Sequence, residues 1–301
     1  MSATASPASP RAAAPRGLLA TLVASSRPLS WVNTAFPFGA AYLLTGAGLD
    51  ATFVIGVLFF LVPYNLAMYG INDVFDYESD LRNPRKGGVE GALVEKAQHR
   101  ATLIASVLVC VPFLVYLYAV GTLVSAALLT VTMVAVVAYS ARGLRFKEVP
   151  FLDSATSATH FVGPAAVGAA MGGAAASMTV IAVLAAFFAW SMASQAFGAV
   201  QDIIADREGG LASIGTVLGA RTTVRVAMGL YGLAALLMLL APWPYLLLAV
   251  MPLLYVVNIW PFRSLVDTEA ELAHAGWARF LWLNYVTGFV VTMVLLWGTL
   301  L

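Results

Sequence analysis

Asn72-Asp73-Val74-Phe75-Asp76-Tyr77-Glu78-Ser79-Asp80 closes an apolar run over 51–71, and Asp202-Ile203-Ile204-Ala205-Asp206 closes a second over 176–200. Asp73 and Asp76 are a step of three apart; Asp76 and Asp80, like Asp202 and Asp206, are a step of four apart. Residues at these steps share one face of a helix. Carboxylates crowded on one face repel each other unless a cation sits among them. Hard oxygen ligands in this pattern suit Mg²⁺, which takes few protein carboxylates together with phosphate oxygens of a substrate. The two stretches therefore point to a membrane enzyme that handles a diphosphate.

The composition agrees. The 301 residues are 61% hydrophobic and 10% charged, whereas a soluble domain carries about a quarter charged residues. Nine segments long enough to span a bilayer fall near 29–47, 51–71, 101–120, 122–140, 151–171, 176–200, 222–241, 243–260 and 277–300, at about 20 residues per span. An all-α, polytopic bundle of nine transmembrane helices is expected. Residues 1–27, rich in Ala, Ser, Pro and Arg, read as a disordered or interfacial tail with a short helix near 17–24, leaving 28–301 as the transmembrane domain. A cleaved signal peptide is not expected, because the apolar core is short and Arg27 and a full span follow it. The single cysteine, Cys110, excludes an internal disulfide.

With nine spans, all 16 Lys and Arg residues fall on one side of the membrane, and the opposite loops carry only Asp50. The positive-inside bias makes the charged side cytoplasmic, with the N-terminus inside and the C-terminus outside. Both acidic clusters then lie at the cytoplasmic ends of spans 2 and 6. The expected surroundings are membrane lipid; a nucleic-acid partner is not expected.

Three connections on the charged side carry the candidate residues. The first holds Asn72, Asp73, Asp76 and Asp80, then Arg85 and Lys86. The second holds Tyr139, Arg145 and Lys147. The third holds Asp202 and Asp206. Carboxylates would hold the metal and bases would neutralise the remaining phosphate charge. Together they would stabilise diphosphate as a leaving group. Nearby aromatics, Tyr69, Phe75, Tyr139 and Phe197, suit the carbocation left behind. Asn65 is seven before Asn72 and Gln195 seven before Asp202, so each continues its motif's face inward. A cavity between spans 2 and 6, with Asn65 and Gln195 as substrate contacts, follows from this. His160, inside span 5, reads either as a cavity-lining residue or as a hydrogen-bonded structural one. The acidic stretch Asp267, Glu269, Glu271 and His274 reads as a surface loop or short helix.

These residues carry a resemblance. After the tail, the chain resembles the UbiA superfamily of intramembrane prenyltransferases. Asn72, Asp73, Asp76 and Asp80 match the pattern N-D-x-x-D-x-x-x-D, and Asp202, Asp206 and Gly210 match D-x-x-x-D-x-x-x-G. Tyr139, Ser140, Leu144, Arg145 and Lys147 match Y-S-x-P-P-L-R-x-K, with Arg142 and Gly143 in place of the two prolines. Within the superfamily the chain is most similar to the lycopene elongase branch. The similarity rests on the stretch 80–91, on Pro150-Phe151-Leu152-Asp153-Ser154 and on 196–208; Gln201 stands where that branch commonly has Pro.

The resemblance implies a nine-helix bundle and Mg²⁺-dependent ionisation of dimethylallyl diphosphate. The terminal double bond of lycopene would then attack the allylic cation, and two rounds would give a C50 carotenoid. Asp73, Asp76, Asp80, Asp202 and Asp206 would hold metal and diphosphate, with Asn72 assisting. Arg145, Lys147, Arg85 and Lys86 would contact phosphate, and Tyr139 would lie near the diphosphate end. Two rivals share some of these features. One is a UbiA-type enzyme with an aromatic acceptor, a quinone precursor or chlorin, and a longer prenyl donor. A carboxylated acceptor of that kind needs a cation inside a span, and none occurs in the sequence. The other is a cation transporter, whose site would lie near the bilayer midplane rather than at its edge.

Overall fold

A computed structural model describes residues 17–81 and 93–300. Its helices are α1 (Leu18–Ser25), α2 (Val32–Leu43), α3 (Ala51–Leu61), α4 (Pro63–Phe75), α5 (Tyr77–Asp80), α6 (Lys96–Val120), α7 (Leu123–Ser140), α8 (Leu152–Met171), α9 (Met178–Val200), α10 (Ile203–Glu208), α11 (Ile214–Met238), α12 (Val250–Ile259) and α13 (His274–Leu300). Among the described residues there is no strand. The helices begin where the sequence offers side-chain oxygens to free backbone N–H groups. Asp50 accepts from Phe53 N at 2.9 Å and Ser177 from Val180 N at 3.2 Å, and Thr122 and Ser213 form capping boxes on α7 and α11.

Each of the nine expected segments is helical, and the structure explains why they differ in apolar character. Six are long and apolar enough to cross a membrane: Ala51–Phe75, Lys96–Val120, Leu123–Ser140, Met178–Val200, Tyr245–Phe262 and Asp267–Thr299. The others are α2, with 12 residues, and α8 and α11. α8 packs against α2, α7 and α9, and Asp153, Ser154, Thr156, Ser157 and His160 on it are buried. A helix enclosed by other helices needs no lipid-facing surface, so its low hydropathy fits its position.

Span 2, expected as one helix over 51–71, is broken into α3 and α4. Pro63 has no N–H and its ring clashes with the preceding turn. The break is held by Asn65, whose Nδ2 donates to Phe60 O at 2.8 Å, Leu61 O at 3.0 Å and Thr34 Oγ1 at 2.7 Å. The short helix expected near 17–24 is present as α1, and it packs on α4 and α6.

Two aromatic cores organise the bundle. One gathers Phe38, Phe59, Phe60 and Tyr64 from α2, α3 and α4; the other gathers Phe197, Tyr231, Tyr255 and Phe280 from α9, α11, α12 and α13. The first acidic motif belongs to one half and the second to the other. α8 joins the halves: Ser157 Oγ donates to Gln195 Oε1 on α9 at 3.1 Å, and the His160 ring meets that of Tyr139 on α7 at 5.1 Å.

Candidate active site

The last turn of α4, together with α5, buries three carboxylates at one end of the bundle. Asp73 is 1%, Asp76 7% and Asp80 6% exposed. Buried charges of one sign are tolerated only beside opposite charge, and the bases are supplied from outside the helix. Lys147 Nζ is ion-paired with Asp76 Oδ1, and Arg145 Nη2 lies 3.8 Å from the same oxygen. Arg27 Nη2 is 3.2 Å from Asp73 Oδ1, and its guanidinium lies 4.1 Å from the centre of the Tyr69 ring, one turn before Asp73.

Two sharp turns make these contacts possible. Arg27 itself adopts φ 50°, ending α1 before Pro28. In the loop after α7, Gly143 has φ 91° and Arg145 φ 43°. Proline locks φ near −65°, so the turn at Gly143 is closed to the proline of the Y-S-x-P-P pattern. The loop follows another path and still brings Lys147 to Asp76. Arg145 is also paired with Glu148. That hydrogen bond holds the Glu148 carboxyl below its ordinary range and pushes the Arg145 guanidinium up.

Asn72 is oriented by Ser140, whose Oγ donates to Asn72 Oδ1 at 2.8 Å. The second motif straddles the break between α9 and α10. Asp202 and Asp206 are half-buried, and Asp206 Oδ2 accepts from Ser213 Oγ at 3.4 Å. Beside Asp202, Gln201 Oε1 is 2.8 Å from His274 Nδ1. Among the described residues, no three His, Cys, Asp or Glu side chains converge into a preformed metal cage. The motif donors are all carboxylate oxygens, buried or half-buried, and those of Asp73 and Asp76 stand beside cations. This donor set fits Mg²⁺, a hard ion that keeps several waters and takes one or two carboxylates together with substrate phosphate.

Residues 34–284 match the UbiA prenyltransferase family. This chain belongs to that family. A C50 β-cyclic carotenoid biosynthesis protein of Dietzia is 56% identical over 94% of the chain, and the chain spans 66% of that protein's length, just under two thirds. A lycopene elongase/hydratase of Corynebacterium glutamicum is 52% identical over 91% of the chain and 96% of its own length. The fold is also that of a UbiA homologue from Archaeoglobus fulgidus, solved with dimethylallyl diphosphate and Mg²⁺, with a TM-score of 0.65 at 19% identity over 89% of this chain and 98% of that one. The membrane prenyltransferase expected from the motifs is thus confirmed at the level of family and fold.

Within this UbiA member, some expected site residues come together and others do not. Arg145 and Lys147 meet at Asp76, while Asp73 is paired with Arg27 and Asn72 is held by Ser140. Asn65 is fully buried at the Pro63 break, where its Nδ2 is bonded to backbone. Gln195 is tied to Ser157. Arg85 and Lys86 lie outside the described residues. An apolar groove of about 910 Å³ lies on the α12–α13 flank beside Leu254, Trp282 and Phe289.

The acidic stretch before the last helix is, as expected, a short surface helix (Asp267–Ala273, 3-10), with Glu269 and Glu271 exposed and Asp267 in a structural role. Asp267 accepts from Ala220 N at 2.7 Å and from Arg207 Nη1 at 2.7 Å, capping α11 where Gly219 turns it with φ 73°. Sequence reasoning assigned Arg27 to the tail and gave Ser140 no role. The available signal was a cation immediately before span 1 on the side of the acidic motifs.

Proposed function

We propose that this prenyltransferase transfers a C5 prenyl group from dimethylallyl diphosphate to the ends of lycopene, releasing diphosphate and forming C45 and C50 carotenoids. The observation that carries the reading is the buried acid–base cluster in which Lys147 and Arg145 converge on Asp76 beside the Arg27–Asp73 pair. It is supported by the lycopene elongase/hydratase at 52% identity, almost all of which the chain spans. The charged face is proposed to be cytoplasmic, with the N-terminus inside and the C-terminus outside.

In this reading Asp73, Asp76, Asp80, Asp202 and Asp206 hold the metal with the diphosphate. When bound, Mg²⁺ supplies positive charge to the diphosphate oxygens as the C–O bond breaks. Lys147 and Arg145 shift from Asp76 toward phosphate oxygens, and Asn72, fixed by Ser140, lies alongside. The Tyr139 ring offers its π-face to the allylic cation. The apolar helices around the site exclude water, so the cation survives until the polyene attacks.

The test is expression in a lycopene-producing bacterial host, with Asp76→Ala as control. The expected result is lycopene converted to products heavier by one and then two C5 units, and none with the control. Unchanged lycopene, with the protein in the membrane and allylic diphosphate abundant, refutes the acceptor. Activity with an aromatic acceptor instead would keep the metal site and move only the substrate.

A further inference from the structure

The reaction proposed above passes through a tertiary cation that must lose a proton or capture water, and none of the motif residues is suited to take the proton. The motif carboxylates stand at the charged end among Arg27, Arg145 and Lys147. Asp153, at the charged end of α8, has its oxygens occupied by Ile214 N at 2.8 Å and Ser154 N at 2.6 Å. Tyr139 carries a hydroxyl, a poor base.

His160 is placed differently. It lies on the same face of α8 as Asp153 and Ser157, at steps of four and three. Seven residues at about 1.5 Å each put it roughly 10 Å inward of Asp153. Its side chain is buried, with the residue 3% exposed. The ring is fixed from α7 by an edge-to-face contact with Tyr139, at 5.1 Å and 76°. Nε2 is buried with no hydrogen-bond partner. Buried polar atoms are nearly always partnered, so an unpartnered one on a clamped ring needs an explanation. In the neutral imidazole one ring nitrogen carries the proton and the other the lone pair, and the buried Nε2 without a donor or acceptor beside it is the position that suits the lone pair. Through Tyr139 and its neighbour Ser140, which holds Asn72, the ring lies one layer below the diphosphate end.

We propose that His160 is the base that terminates prenyl transfer, an inference that rests on the function proposed above. The acceptor's terminal alkene forms a C–C bond to C1 of the donor as the C1–O bond breaks and diphosphate leaves with that electron pair. The positive charge then sits on the acceptor carbon bearing two methyl groups. Nε2 removes a proton from one of these methyls, and the C–H pair becomes the new double bond. The imidazolium proton passes to the departing diphosphate, and the ring is neutral again.

The experiment uses His160→Gln and His160→Asn in the lycopene-producing host. It reads the ratio of alkene-ended to hydrated products, the latter heavier by one water. The ratio is independent of how much protein reaches the membrane. Asn and Gln keep a polar side chain at this position but place no nitrogen base where Nε2 stands. The wild type is expected to give alkene ends. Both variants are expected to shift the ratio toward hydrated ends by about a hundredfold, the low end of what a positioned base contributes. Wild-type ratios in both variants would make a diphosphate oxygen the base and overturn the proposal. So would rescue by Asn alone, which would reduce His160 to a polar packing role, and loss of both variants from the membrane, which would make it a packing residue. A wild type that leaves lycopene unchanged fails the acceptor assignment itself, and this inference falls with it.

Discussion

Lys147→Ala separates the phosphate contact from the metal site. In the structure Lys147 is paired with Asp76, and their side chains are 15% and 9% exposed. Removing one partner of a fully buried pair costs about 3–5 kcal/mol of stability. Here Arg145 remains 3.8 Å from the same Asp76 oxygen, so the expected loss is smaller, about 1–2 kcal/mol, and the protein still inserts. Catalysis suffers more. A charge-assisted hydrogen bond to phosphate is worth about 1.5–3 kcal/mol, which is roughly 10- to 100-fold in kcat/KM at about 1.4 kcal/mol per factor of ten. The loss should appear mainly as a higher KM for the prenyl diphosphate, with a smaller fall in kcat. The Mg²⁺ requirement should not rise, because the lysine occupies an oxygen that the metal needs. The assay is diphosphate release in membranes, titrating donor and Mg²⁺ separately. A donor KM within twofold of wild type, or a Mg²⁺ requirement that climbs by the same factor as KM, would refute the assignment of Lys147 to phosphate.

Three further outcomes follow from the same geometry. Asp76→Ala and Asp202→Ala should each nearly abolish turnover while the protein still inserts, and the double variant should be little worse than either, since all three lose one shared cluster; chelation of Mg²⁺ should reproduce the loss, and full activity in either single variant counts against the site. Asp267→Ala removes the cap on Ala220 N and the Arg207 partner, which should cost about 1–2 kcal/mol and lower the melting temperature in detergent by a few degrees; an unchanged melting curve would show that the cap is dispensable. A topology reporter after Gly210 should read cytoplasm and one at Gly172 the opposite side, and the same reading at both positions breaks the nine-span arrangement.

Much of this protein was legible before any coordinates because the relevant signals are local. Apolar length marks the helices, and steps of three and four place Asp73, Asp76 and Asp80 on one face whatever the surroundings. One-sided Lys and Arg residues supply the orientation proposed here. Pro63 announced a local break, but which carbonyls it freed, and that Asn65 would bond them, depended on α2 arriving with Thr34. Tertiary structure alone decided which cation neutralises which carboxylate. Arg27 and Asp73 are 46 residues apart, and they meet because a left-handed turn ends α1 beside α4. Lys147 reaches Asp76 through a loop whose path is set by Gly143 and Arg145 at positive φ. Asp267, in a stretch legible only as a surface loop or short helix, is drawn to Ala220 N because the kink at Gly219 exposes a backbone donor that must be bonded. A helix period and a hydropathy run are properties of neighbouring residues, whereas the partner of a buried charge is chosen by whatever backbone the fold brings within about 4 Å of it.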